Sequence, residues 1–179
     1  MSFNELSKSI HEANIKWWID LDTGERLVRN KGELICLMHS ELSEAFDGSR
    51  FALQDDHLPH RRMFDVELAD TVIRLHDYAG GFGYDLEVPA AQNAVDVTTN
   101  TMMNLLLAHR ALSQLMEAER KDNREAAEYW LAVANRTVRA FAIKMGVEID
   151  DVVAEKVEYN RNRADHKLAA RKAKGGKKW

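Results

Sequence analysis

Apolar residues recur along this chain at three- and four-residue steps, the spacing that gathers them on one face of an α-helix. Phe3, Leu6, Ile10, Ala13 and Trp17 form the first such stripe, behind Ser2-x-x-Glu5, which reads as a capping box. Asn30-x-x-Glu33 opens a second helix in the same way, with Leu34, Leu37, Met38, Leu42 and Ala45 on one face and Gly48 predicted to end it. A third places Phe64, Leu68, Val72, Leu75 and Ala79 on a narrow stripe and is predicted to stop at Gly80, Gly81 and Gly83. Pro89 suits the first turn of a fourth. Two more are predicted at roughly 101–121 and 124–145, and a last from about Asp151. No stretch alternates as a strand does, and only two prolines occur. The expected fold is an all-α helical bundle.

The pattern also repeats. Residues 34–50 align with 104–120 at an offset of 70, matching His39, Leu42, Ser43 and Arg50 to His109, Leu112, Ser113 and Arg120. GYDLE at 83–87 resembles GVEID at 146–150 at an offset of 63. A degenerate repeat of helix pairs over 101–150 would build a pseudo-symmetric bundle from one chain. Convergence of two amphipathic helices is the alternative.

Composition narrows the class. At 179 residues the chain fits one domain, 1–179, with 45% apolar and 30% charged residues, as a soluble globular protein has. It contains no apolar run of the ~18 residues a membrane span needs. The start Met-Ser-Phe-Asn-Glu lacks a signal peptide's basic and apolar segments. Cys36, the one cysteine, sits among apolar neighbours without a partner, and a reducing cytoplasm is the expected location. Net charge is -4. From Lys167 onward, however, there are six basic residues and no acid, leaving 19 basic against 29 acidic side chains in the body, a formal -10. Such a body is a poor match for duplex nucleic acid, which selects a broad basic face. It suits a cation site, with the basic tail at 167–179 either reaching over an anionic ligand or merely solubilising the chain.

The acids that could hold such a cation come in pairs. Glu41-x-x-Glu44 and Glu67-x-x-Asp70 are separated by 22 residues spanning a loop. Positions i and i+3 share a helix face, so two packed helices would converge four carboxylates on one point. Hard oxygen ligands of that kind select Mg²⁺, Mn²⁺ or Ca²⁺. Their mutual repulsion makes the arrangement costly without a cation. Each pair taken alone also reads as a solvated helix face. In the second half of the repeat all four acids are gone, replaced by Ala111, Gln114, Trp130 and Val133.

The segments HSELSEAFDGSR (39–50), DDHLPHR (55–61) and VELADTVIRLHDYAGGFGYDLE (66–87) resemble the MazG-like, all-α nucleoside triphosphate pyrophosphohydrolases. The ending EKVEYNRNRADHK (155–167) with GGKKW is similar to members found in phage and bacterial genomes. The resemblance covers 30–88 well and 151–179 moderately, while 89–150 adds a helix pair to the family pattern. It implies hydrolysis of a (deoxy)nucleoside triphosphate between the α- and β-phosphates, giving the monophosphate and pyrophosphate. It also implies Mg²⁺, replaceable by Mn²⁺, on Glu41, Glu44, Glu67 and Asp70, with one glutamate (Glu44 for preference) acting on the attacking water. A homo-oligomer, dimer or tetramer, is expected.

On the phosphate side, Lys156, Asn160 and Arg163 recur at i, i+4 and i+7, followed by Lys167, so they line one helical face able to hold phosphates. Lys31 opens the first metal helix at an N-terminus favourable to anions, where Asn30 reads as a cap. His57, His60 and Arg61 lie in the loop between the acid pairs and are candidates to grip phosphate or base; no further His or Cys completes a usual zinc set around the histidines. A helix points adjacent residues about 100° apart, which assigns Trp17 to the core and leaves Trp18 to stack on a base or cover an interface. Two other classes stay open: a di-iron carboxylate bundle, which expects Glu-x-x-His pairs, and a non-catalytic helical nucleotide-binding or interaction module.

Overall fold

The computed structural model describes residues 1–89 and 97–176. Among these, the helices are α1 (Phe3–Asn14), α2 (Lys31–Phe51), α3 (Met63–Phe82), α4 (Thr101–Arg120), α5 (Arg124–Lys144), α6 (Ile149–Asn162) and α7 (Leu168–Lys172). Short 3₁₀ turns span Ile15–Trp18 and Ala164–His166. No strand occurs among the described residues, where pairing is confined to two isolated bridges, Ile19 with Arg26 and Gln54 with Arg62. None of these helices is long and apolar enough to cross a membrane. The helix expected at Pro89 falls largely on 90–96, outside the described residues.

The caps form where the sequence supplies them. Ser2 Oγ accepts from Glu5 N at 3.2 Å while Glu5 Oε2 accepts from Ser2 N at 2.7 Å, a complete capping box. Asn30, Asn100 and Asn123 open α2, α4 and α5, each side-chain oxygen accepting the backbone N–H three residues on. The stops differ from expectation. Helix α2 runs through Gly48 to Phe51 and ends on left-handed Ala52 (φ 53°). A Cβ at Gly48 would lie 2.6 Å from the Phe64 amide nitrogen, so this glycine admits the start of α3 rather than breaking α2. Gly80 and Gly81 likewise lie inside α3, and only Gly83 (φ 68°) terminates it.

Helix α3 is the centre of the molecule, packed by α1, α2, α5 and α6. Leu68, Val72, Leu75 and Ala79 are fully buried, and so is His76, whose Nδ1 meets Ser7 Oγ at 2.8 Å. Burial, with the Arg139 guanidinium adding to it, pushes that imidazole down to about 3, so it stays neutral.

The two hairpins, α2–α3 and α4–α5, share one plan. The buried residues of α2 (Ile35, Met38, Glu41, Leu42, Ala45, Gly48) each have a buried counterpart 70 residues on (Leu105, Ala108, Ala111, Leu112, Leu115, Ala118). Gly83 and Gly146, offset by 63, are both left-handed. His39 meets its own counterpart, His109: the Nδ1 atoms are 2.7 Å apart and the rings lie within 7° of parallel. One ring therefore donates and the other accepts. A residue that touches its own counterpart marks the axis relating two copies. That contact, with the shared burial register, supports the repeat.

Candidate metal centre and its cleft

Helix α2 directs Glu41, and α3 directs Glu67 and Asp70, into the seam between them. One carboxylate oxygen from each lies within 4.8 Å of the others. Glu41 and Glu67 are both 7% exposed. Glu67 Oε2 is buried with no hydrogen-bond partner. Burial, then the charges of Asp70 and Glu41, holds the Glu67 carboxyl far above the usual carboxylate range. Asp70 is pushed up to about 6, chiefly by burial, against the pull of the Lys156 ammonium. A buried oxygen without a partner, among acids that resist ionising together, fits a hard divalent cation.

Glu44 does not join the three. An i+3 step along α2 carries it round to the exposed rim, where its Oε1 accepts from Ser40 Oγ at 2.9 Å. It remains close enough for its charge to act on Glu67. The expected tetrad is thus a triad with one rim acid.

Two cations neutralise part of the triad. Arg74 Nε donates to Glu41 Oε1. Lys156, reaching from α6 and only 3% exposed, places Nζ 2.9 Å from Asp70 Oδ2.

Asp70, Arg74 and Lys156 line a cleft of about 140 Å³ together with Trp17, Arg29 and Asn160. Arg163 and His166 also line it. The predicted face of α6 is therefore brought to the acids: Lys156, Asn160 and Arg163 all reach the cleft. Asn160 Oδ1 is buried there without a partner. Lys167 is exposed and is not part of the wall.

The remaining candidates go elsewhere. Lys31 Nζ is held by Tyr84 Oη and Glu119 Oε2, each at 2.6 Å, tying α2 to α4 rather than meeting a phosphate. His60 and Arg61 both pair with Glu155, at 2.8 and 2.5 Å, and His57 packs on the Tyr159 ring, so this loop is fastened to α6. Trp18 is 2% exposed, with Nε1 donating to Asp77, and has no face to offer a base. Trp17 is buried as expected, at 8% exposed, and also lines the cleft, while Trp18 is buried beside it because α1 gives way at Ile15 to a 3₁₀ turn, whose three residues per turn place the pair differently from an α-helix. Trp17, Arg29 and His166 escaped sequence reasoning for that reason and because no periodicity runs through their segments. Cys36 is exposed.

The C-terminal segment is docked. Arg171 is 3% exposed, stacks over Trp17 at 4.1 Å and donates to Lys16 O at 2.5 Å. Residues 177–179 lie outside the described residues. Removing 168–179 should therefore uncover Trp17, shift its fluorescence to the red and lower stability by about 1–2 kcal/mol, the range of a desolvated cation–π contact. Unchanged emission and melting would reduce the segment to an appendage.

The second hairpin places different residues at the positions that wall the cleft in the first. Leu34 and Ile73, which line that cleft, correspond to Asn104 and Arg136. Asn104 bonds both backbone groups of Thr98 at 2.8 Å, and Arg136 donates to the carbonyls of Leu86 and Val88. Leu86, Val88 and Thr98 thus occupy the side chains at the corresponding positions.

The raised acids fix a pH dependence. Asp70 binds its proton more tightly folded (about 6) than at its ordinary 3.8, so its contribution is complete below that ordinary value and is lost as pH rises through about 6. Glu67 acts in the same direction at higher pH. Melts across pH 4 to 8 should show the metal-free protein losing stability relative to Asp70→Asn as pH rises. A constant difference between the two would contradict the assignment.

No protein-family model, curated protein or solved structure matches this chain, so what it does must be argued from these residues.

Proposed function

We propose that this protein hydrolyses a nucleoside triphosphate, with deoxynucleotides preferred, to the monophosphate and pyrophosphate, in the manner of the MazG-like enzymes its motifs resemble. The observation that carries the reading is the partnerless buried Glu67 oxygen beside Glu41 and Asp70, opening through Asp70 onto a cation-lined cleft. Glu41, Glu67 and Asp70 would hold Mg²⁺ or Mn²⁺. That ion, when bound, offsets phosphate charge and eases formation of hydroxide from water.

The chain's own groups do the rest. Lys156, Arg163 and Arg29 face the cleft and supply positive charge for the β- and γ-phosphates. Arg74 holds Glu41 in place through its carboxylate. Glu44 keeps a solvent-exposed carboxylate that accepts from the Ser40 hydroxyl, and it takes the proton from the attacking water. With one such acid triad among the described residues, one turnover site per chain is expected.

A panel of ribo- and deoxynucleoside triphosphates with Mg²⁺, assayed for both products, tests the proposal. Monophosphate and pyrophosphate in equal amounts support it. Orthophosphate and a diphosphate as first products would mean attack at the γ-position and overturn it. The ion pairs already on Asp70 and Glu41 favour one competitor, a non-catalytic nucleotide-binding module, which binds triphosphate and releases no product.

A further inference from the structure

Lys156 is an unusual residue to find beside a metal centre. Its side chain is almost completely buried, its ammonium is 2.9 Å from Asp70 Oδ2, and a second buried carboxylate, Asp55, also acts on it. Asp70 is the member of the acid triad that both faces its partners within 4.8 Å and lines the cleft. A divalent cation on the triad needs the Asp70 carboxylate, and an ammonium at that distance would repel it. Yet the ammonium has somewhere to go. Lys156 itself lines the cleft, with Asn160 one turn further along α6 and Arg163 just past the end of that helix. A lysine, with a flexible four-carbon stem, can make such a move where a rigid guanidinium fork cannot.

We propose that Lys156 is a tethered counter-ion that holds Asp70 until the metal arrives, and that the metal then releases its ammonium into the cleft to receive the triphosphate. The inference rests on the metal reading above. It makes Lys156 a positioning residue that links two binding events. In the metal-free protein the lysine neutralises Asp70 and is withheld from phosphate. With metal bound, the same charge becomes available to the substrate. Metal and triphosphate must then strengthen one another's binding by the same factor. Arg74 stands in the same relation to Glu41, but its side chain is 35% exposed, so leaving its partner changes its surroundings less.

Thermal melts of the full chain and of Lys156→Met at pH 8, each with and without Mg²⁺, test this without any turnover. The variant should melt lower than the parent in the absence of metal, because Asp70 has lost its counter-ion. It should also gain more from Mg²⁺ than the parent does, because nothing has to be displaced. An equal or smaller gain in the variant, with a clear gain in the parent, overturns the inference and leaves the metal reading standing. No gain in either protein overturns the metal reading and the inference together. Acetylation of Lys156 in the unmodified protein, followed by mass spectrometry, avoids reliance on the variant's folding. Labelling should rise severalfold on adding Mg²⁺ and fall again on adding an α,β-methylene triphosphate. Labelling that Mg²⁺ leaves unchanged overturns the exchange.

Discussion

Glu67→Gln should abolish turnover and yield a metal-free protein that melts higher than its parent. The two effects have one cause. Glu67 is 93% buried, and its Oε2 has no hydrogen-bond partner, leaving the Lys156 ammonium to offset its charge only from a distance. Burial and the neighbouring Asp70 and Glu41 make its ionised form costly. The amide keeps the side chain's shape, carries no charge and presents N–H donors to the acids around it. Most substitutions at buried positions destabilise, so a gain here is diagnostic of stored repulsion. The loss of turnover follows because the cation loses one of three carboxylates. Removing a charge-stabilising element worth several kcal/mol should slow the reaction at least ~100-fold. Steady-state rates and a melting curve on the same preparation check both halves. A variant that keeps its rate, or melts lower than the parent, contradicts the assignment of Glu67.

Trp18→Ala should be the most damaging single change to the fold, costing about 3–5 kcal/mol. The indole is 2% exposed, lies edge-on to His11 and Phe82 at 4.9 and 5.3 Å, and donates to both oxygens of Asp77 at 3.1 and 3.2 Å. It fills the space that Gly81 leaves by lacking a side chain: a Cβ there would sit 2.2 Å from the ring. Truncation would open a cavity and take from the Asp77 carboxylate one of its partners, leaving His11 Nδ1 at 2.8 Å. Trp17→Ala is the informative contrast, since Trp17 is buried but also lines the cleft and should affect triphosphate affinity as well as stability. Urea unfolding of the two variants measures the difference directly. A larger stability loss for Trp17 than for Trp18 would contradict this ranking.

The burial of Trp18 beside Trp17 shows what the sequence can and cannot reveal. The faces of α2 and α3 and the extents of α4 to α6 were legible in the apolar periodicity, and Ser2 and Asn30 cap the helices they precede. The repeat was legible too, through His39 and His109, though not that the two rings would meet. Three of the four acids come together as spacing suggests. The fourth does not, because an i+3 step says that two residues share a face and not which of them lies in the seam. The 3₁₀ turn that buries Trp18 beside Trp17 leaves no mark in hydrophobic spacing. The capture of His60 and Arg61 by Glu155 joins residues more than ninety positions apart and depends on how α6 packs. Gly80 and Gly81 read as breakers from sequence, whereas in the fold they are the places where α1 and Trp18 press on α3.

The central claim is that Glu41, Glu67 and Asp70 form a divalent-cation site. A titration of the metal-free protein with Mn²⁺, followed by the paramagnetic resonance of the free ion, tests it most directly. The parent should bind Mn²⁺, Mg²⁺ should displace it, and Glu67→Gln and Asp70→Asn should each weaken binding at least ~10-fold, as loss of a coordinating shell's support does elsewhere. Equal Mn²⁺ binding by the parent and both variants would place the ion somewhere other than this triad and contradict the account.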